Sequence, residues 1–175
     1  MKISEIKDIL AQEEVSEERL AEFMSDERKG VQKLVQAYMK QLEKDTKEHL
    51  RVEALYDTEN RFYQKNMYAV AGVDEVGRGP LAGPVTVAAV ILPPYWFCRG
   101  LNDSKKVTPQ HREEIAEKIK KEAVAYSIVS LPPEEIDALN IYGATLTAMY
   151  RAIETLKVKA EAVIVDAMPL HLPVP

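Results

Sequence analysis

Apolar residues are spaced in two different ways along this chain, and the change falls near residue 67. Before it, single apolar residues recur every three or four positions among charges of both signs, which is the helical period. Ile6, Ile9 and Leu10 mark a short helix that Ser4 can cap, and Leu20 and Phe23 mark a second behind Ser16. Ser25 or Asp26 opens a long helical stretch striped by Val31, Leu34, Val35, Tyr38 and Leu42. The stripe lapses at Asp45 and Thr46 and resumes weakly at Val52, Tyr56 and Tyr63, which argues against a sustained coiled coil. Up to residue 66 there is no proline and only Gly30 as glycine. Residues 1–66 therefore read as an all-helical extension, and 67–175 as a separate domain.

From residue 68 the texture is that of strands. Residues 68–74 form an apolar run ending at Asp74, and 84–92 are β-branched and apolar on both faces, as for a central strand. Pro93 and Pro94 end that run. Thr108 with Pro109 starts a helix to about residue 121. A third strand covers 124–131, Pro132 and Pro133 break it, and a short helix over 134–139 precedes a longer one over 142–156. A fourth strand, 162–165, ends at Asp166. The order predicts an α/β mixed sheet with flanking helices. The first two strands, joined by a short turn, form an antiparallel pair, and the last lies parallel to the first.

Composition narrows the class. Hydrophobic residues make up 46% and charged residues 29% of the 175, the balance of a soluble globular protein. No apolar run approaches the roughly 20 residues that span a bilayer, so no membrane role is expected. The single Cys98 excludes an internal disulfide and a cysteine-based zinc cluster, and fits a cytoplasmic protein. The formal net charge of −5 weighs against nucleic-acid binding, which depends on neutralising phosphates. Acidic residues that hold cations remove the objection, and a basic stretch runs from Arg99 to Lys121.

Three groups of residues carry candidate chemistry. Asp74, Glu75 and Asp166 fall at strand ends, where functional groups of such sheets gather. Carboxylate oxygens suit a hard cation such as Mg2+ or Mn2+, and paired ions can hold the attacking water and leaving oxygen of a phosphodiester hydrolysis. The plainer alternative is an acidic turn after a strand. Gly77, Arg78 and Gly79 let backbone N–H groups approach a sugar-phosphate, or simply make a hairpin turn. Ser104, Lys105 and Lys106, behind Asn102 and Asp103, can grip a phosphate or stand as solvated lysines. His49, His111 and His171 show no mutual ligand spacing, and Cys98 has no base beside it.

Taken together, Val73-Asp74-Glu75-Val76-Gly77-Arg78-Gly79-Pro80-Leu81-Ala82-Gly83-Pro84-Val85 resembles the signature of bacterial ribonuclease HII, the type 2 ribonucleases H. Asn102-Asp103-Ser104-Lys105-Lys106, the segment holding Glu135, Asp137, Asn140, Ala144 and Met149, and Val165-Asp166-Ala167-Met168 resemble its later blocks in order. The resemblance implies a ribonuclease H-like fold, with Asp74, Glu75 and Asp166 as catalytic metal ligands for Mg2+ or Mn2+. It implies endonucleolytic cleavage of RNA in an RNA–DNA hybrid duplex, and 5′ of a lone ribonucleotide embedded in duplex DNA, the first step of ribonucleotide excision repair. Gly77, Arg78 and Gly79 would read the 2′-hydroxyl, and Ser104 with Lys105 or Lys106 would contact phosphates. A monomer is expected. The family's fourth carboxylate lies beyond Pro175, so the chain reads as a shortened form, of weak activity, with an uncovered sheet. The alternative is a non-catalytic remnant that binds nucleic acid or protein through residues 1–66.

Overall fold

The computed structural model describes residues 1–12, 15–80, 82–166 and 168–175. The chain forms two compact units, Met1–Val52 and Glu53–Pro175.

Among its described residues, the first unit has helices as its only regular elements. Helix α1 (Ile3–Leu10) starts two residues earlier than Ser4 would allow as its cap, and the Lys2 N–H at its start donates to the Glu5 carboxylate at 2.7 Å. Ser16 caps α2 (Glu17–Met24) as expected. Asp26 accepts the Arg28 N–H and opens α3 (Lys29–Glu53). This helix runs unbroken through Asp45 and Thr46, where Gln41–Asp45 and Glu43–Lys47 contacts support the exposed face. The apolar stripe lapses there, but the helix does not. Ile6, Phe23, Val31 and Val35 close a small core of their own.

The second unit begins with a 3₁₀ turn, Ala54–Tyr56, and α4 (Asp57–Tyr63). Four strands follow, β1 (Val70–Val76), β2 (Val85–Ile91), β3 (Ala125–Leu131) and β4 (Ala162–Val165), in the spatial order β3-β2-β1-β4. β2 is antiparallel to β1 and β3, and β4 is parallel to β1. Both pairings expected from the sequence are present. Beyond the sheet, the Val163 N–H donates to the Pro175 carbonyl at 2.9 Å.

One face of the sheet is the core. Val85, Val87, Ala89 and Ile91 alternate inward along β2, with Ala71 and Val73 beside them. Each buried valine or isoleucine contributes about 1.5–3 kcal/mol relative to exposure. Ala144, Ala148, Met149 and Ala152 cover them from α6 (Pro133–Glu154), and these small side chains let the helix lie close to the strands. α6 contains a break at Asn140 (φ 57°, ψ 166°), whose Oδ1 accepts the Gly143 N–H and restarts the helix. The gap expected between two helices is this one residue.

The other face of β2 holds Thr86, Ala88 and Val90, only half-buried, and beside it Tyr126 and Ile128 of β3 are exposed. The strand expected to be apolar and covered on both sides is covered on one. α5 (Pro109–Glu122), capped by Thr108, packs Ile115 against Trp96, Cys98 and Val107 in a satellite cluster. No helix among the described residues is long and apolar enough to cross a membrane.

Candidate active site

β1 extends two residues further than the sequence pattern suggested, because its ladder with β2 continues through Glu75–Val87 to Val76–Thr86. Asp74 and Glu75 therefore both lie inside a strand, where successive side chains point to opposite faces. Asp74 is paired with Ala88 on the open face and is exposed. Glu75 lies opposite buried Val87 on the covered face, and its carboxylate meets the Arg78 guanidinium at 3.3 Å.

The parallel register brings in the second carboxylate. Val73 is level with Val165, so the next residues, Asp74 and Asp166, follow from adjacent strands at the same end of the sheet. Neighbouring strands lie about 4.8 Å apart. Both side chains are exposed, and one Asp74 oxygen accepts the Glu75 N–H at 2.8 Å. Two exposed carboxylates on neighbouring strands, toward the same end of the sheet, fit a hard cation as donors. Among the described residues, no group of three or more His, Cys, Asp or Glu is gathered as a metal site. Glu75 is the member held apart, by the strand's two-residue period and by Arg78.

The corner after β1 depends on Gly77. Its φ of 94° is in the left-handed region, and a Cβ there would run into the Pro84 carbonyl oxygen. Gly79 has no atom near the position of a Cβ, so its backbone is open to approach. Arg78 is exposed. Leu81, within the same turn, lies outside the described residues, as does Ala167 after Asp166.

This corner forms one wall of a cleft of about 290 Å3, and Ile136, Asp137 and Ile141 of α6 form the other. Sequence periodicity did not mark those residues as a wall. Only their place in a family-like block, directly after Pro132 and Pro133, pointed to them.

Ser104, Lys105 and Lys106 form a 3₁₀ turn and are all exposed. Asp103 accepts the Lys105 N–H at 2.9 Å, so it is a turn former, as expected. The turn lies on the connection from β2, which leaves the sheet at the end opposite Asp74. No hydrogen bond or ion pair ties it to the carboxylates among the described residues.

The remaining candidates stay outside the site. His111 pairs with Glu114 at 3.1 Å on α5. Cys98 is buried, and burial pushes its thiol above the ordinary range, against the pull of Lys118. That disfavours the thiolate a nucleophile needs.

Residues 71–172 match the family model described as Ribonuclease HII, and residues 2–63 match Ribonuclease HII N-terminal domain. The chain is 49% identical over 175 residues to a ribonuclease HII of Lactobacillus johnsonii, covering 99% of this chain and 69% of that protein. It is 45% identical to one of Desulfitobacterium hafniense, covering 97% of this chain and 65% of the relative. Among solved structures it is similar to the ribonuclease H2 of Pyrococcus horikoshii, with a TM-score of 0.52 and 30% identity. That match covers 58% of this chain and 51% of the other.

Proposed function

The chain belongs to the ribonuclease HII family, and on that premise we propose that it hydrolyses phosphodiester bonds of RNA within an RNA–DNA hybrid. The reading includes cleavage 5′ of a single ribonucleotide embedded in duplex DNA, in the service of ribonucleotide excision repair, by a cytoplasmic monomer. The observation that carries it is the Val73–Val165 register, which sets Asp74 and Asp166 side by side next to the Gly77-Arg78-Gly79 corner.

Asp74 and Asp166 would hold Mg2+ or Mn2+ through carboxylate oxygens. Such an ion supplies charge neutralisation at the phosphate and an acidified water. Glu75 joins them only after releasing Arg78, and Arg78 is then free to face the substrate's negative charge. The backbone of Gly77 and Gly79 reads the ribose 2′-hydroxyl, the one group that separates RNA from DNA locally. Ser104, Lys105 and Lys106 grip the backbone phosphates further along the duplex.

Residues 67–175 carry this chemistry, and residues 1–66 serve as an accessory extension. The test is nicking of a DNA duplex with one ribonucleotide, with Mg2+ or Mn2+ added. Metal-dependent nicking lost in Asp74→Asn supports the reading. Metal-independent cutting, or an Asp74→Asn variant that cuts normally, overturns it.

One observation favours a second role for the extension. Met1–Val52 is a compact unit around its own core. Duplex binding that survives Asp74→Asn and is lost on deleting residues 1–52 would show a binding module.

A further inference from the structure

The end of the sheet away from Asp74 holds none of the carboxylates of the proposed chemistry. β1, β3 and β4 begin there and β2 finishes there, as the strand pairings require. The four connections at this end surround an open cleft of about 360 Å3, walled by Tyr68, Ile91, Pro94, Val124 and Val158. Tyr68 and the neighbouring Tyr95 are 51% and 53% exposed, and Val124 and Val158 are exposed too. Isolated exposed apolar residues are ordinary, but several around one concave site mark an interaction surface.

The exposed rings are fixed in place. Tyr63, itself buried, stacks on Tyr68 at 5.9 Å and meets Tyr95 edge-on at 5.5 Å. Tyr56 also lies against Tyr95, at 6.0 Å. Rings anchored in this way present apolar area with little conformational entropy to lose on binding.

Both signs of charge meet at this cleft, which Lys159 and Glu161 both line. Two of the carboxylates at this end are tied to the frame. Glu161 accepts the Tyr68 and Ala69 N–H groups at 2.7 and 2.9 Å, and Glu122 accepts Trp96 Nε1–H at 2.6 Å. Lys157 and Lys159, on either side of Val158, are exposed and make no ion pair among the described residues.

We propose that this end is a docking surface for an acidic, extended segment of a partner protein. An aromatic or branched side chain of that segment enters the cleft between Tyr68 and Val158. Carboxylates on either side of it meet Lys157 and Lys159. A single-stranded nucleic acid fits less well, because Tyr68 has one ring face already stacked on Tyr63 and the walls beyond it are aliphatic.

The test uses the 175-residue chain and a fluorescein-labelled, glutamate-rich peptide with one central tryptophan, read by anisotropy at low salt. Saturable binding is expected. It should weaken about tenfold in Tyr68→Ser and in the double variant Lys157→Glu, Lys159→Glu, the usual scale of an anchor or a charge pair. The double variant alters only exposed lysines, so it keeps the test valid should Tyr68→Ser fold poorly. Asp74→Asn should bind the peptide normally, which separates failure here from failure of the proposed cleavage. No peptide binding, or equal binding by the double variant, overturns the proposal. So does displacement of the peptide by oligothymidylate, or self-association of the chain that the same variants abolish.

Discussion

The two ends of the sheet are made by the same four strands, yet they carry opposite surfaces. At one end Asp74 and Asp166 stand exposed beside a glycine corner. At the other, Tyr56, Tyr63, Tyr68 and Tyr95 cluster, with Lys159 on the wall of the cleft that Tyr68 lines. The difference follows from strand direction. β1 and β4 are parallel and in register, so Asp74 and Asp166, each one past the Val73–Val165 pair, lie toward the same end without any connection between them. Helices and long loops enter the sheet at the far end, and their junctions have to be packed, which aromatic side chains do with large buried area. Chemistry falls to the end with open, register-matched strand termini, and structure to the end crowded by connections.

The largest effect expected from breaking this division is Asp74→Asn. Ribonucleotide-dependent nicking should fall about 100-fold or more, the scale of removing one preorganised transition-state contact. Stability should stay within about 0.5 kcal/mol, as for exposed sites generally. A variant that cut normally would show that the chemistry is elsewhere. Gly77→Ala is next. It forces a Cβ against the Pro84 carbonyl at positive φ, and urea unfolding should show a loss of about 1–3 kcal/mol together with slower nicking. Loss of stability with full activity would separate the corner from the site.

The smallest effect belongs to the aromatic end and is seen only in alkali. The Tyr56 hydroxyl donates to the Trp96 carbonyl at 2.7 Å. Burial, and the charges of Tyr63, Glu59 and Cys98, push its pKa up from 10.0 to about 12. In the unfolded chain the same phenol ionises near 10, so above that pH the folded state binds more protons than the unfolded state. The stabilisation is therefore complete below pH 10 and is lost as pH rises through about 12. Thermal midpoints measured from pH 9 to 12 should decline in the parent chain and decline less in Tyr56→Phe. Nicking near neutral pH should be the same in both. Equal alkaline slopes would mean that Tyr56 is not the group responsible.

Much of this arrangement was legible in the sequence where a single local rule decides the outcome. Thr108 with Pro109 marked the start of α5, Ser16 marked α2, and the antiparallel β1–β2 and parallel β1–β4 pairings followed from connection length. Asp74 and Asp166 were readable for the same reason, each closing an apolar run. What was not legible depended on contacts between distant segments. The two-residue shift of β1 is set by its ladder with β2, and that shift turns Glu75 away from Asp74. The cleft opposite Gly77 exists because α6 begins where β3 ends, which no spacing within 133–141 reveals. Tyr56 and Tyr63 looked like a helical stripe, but their ring partners are Tyr68, just before β1, and Tyr95, after β2.

The corner at Gly77 also has a handedness. Glycine carries two α-hydrogens, and only one of them points at the Pro84 carbonyl oxygen. An L-alanine replaces that hydrogen, whereas a D-alanine replaces the other and is at ease with φ of 94°. A semisynthetic chain with D-alanine at position 77 should therefore turn the corner that an L-alanine cannot. The two enantiomers would then separate what this position demands of chirality from what it demands of size.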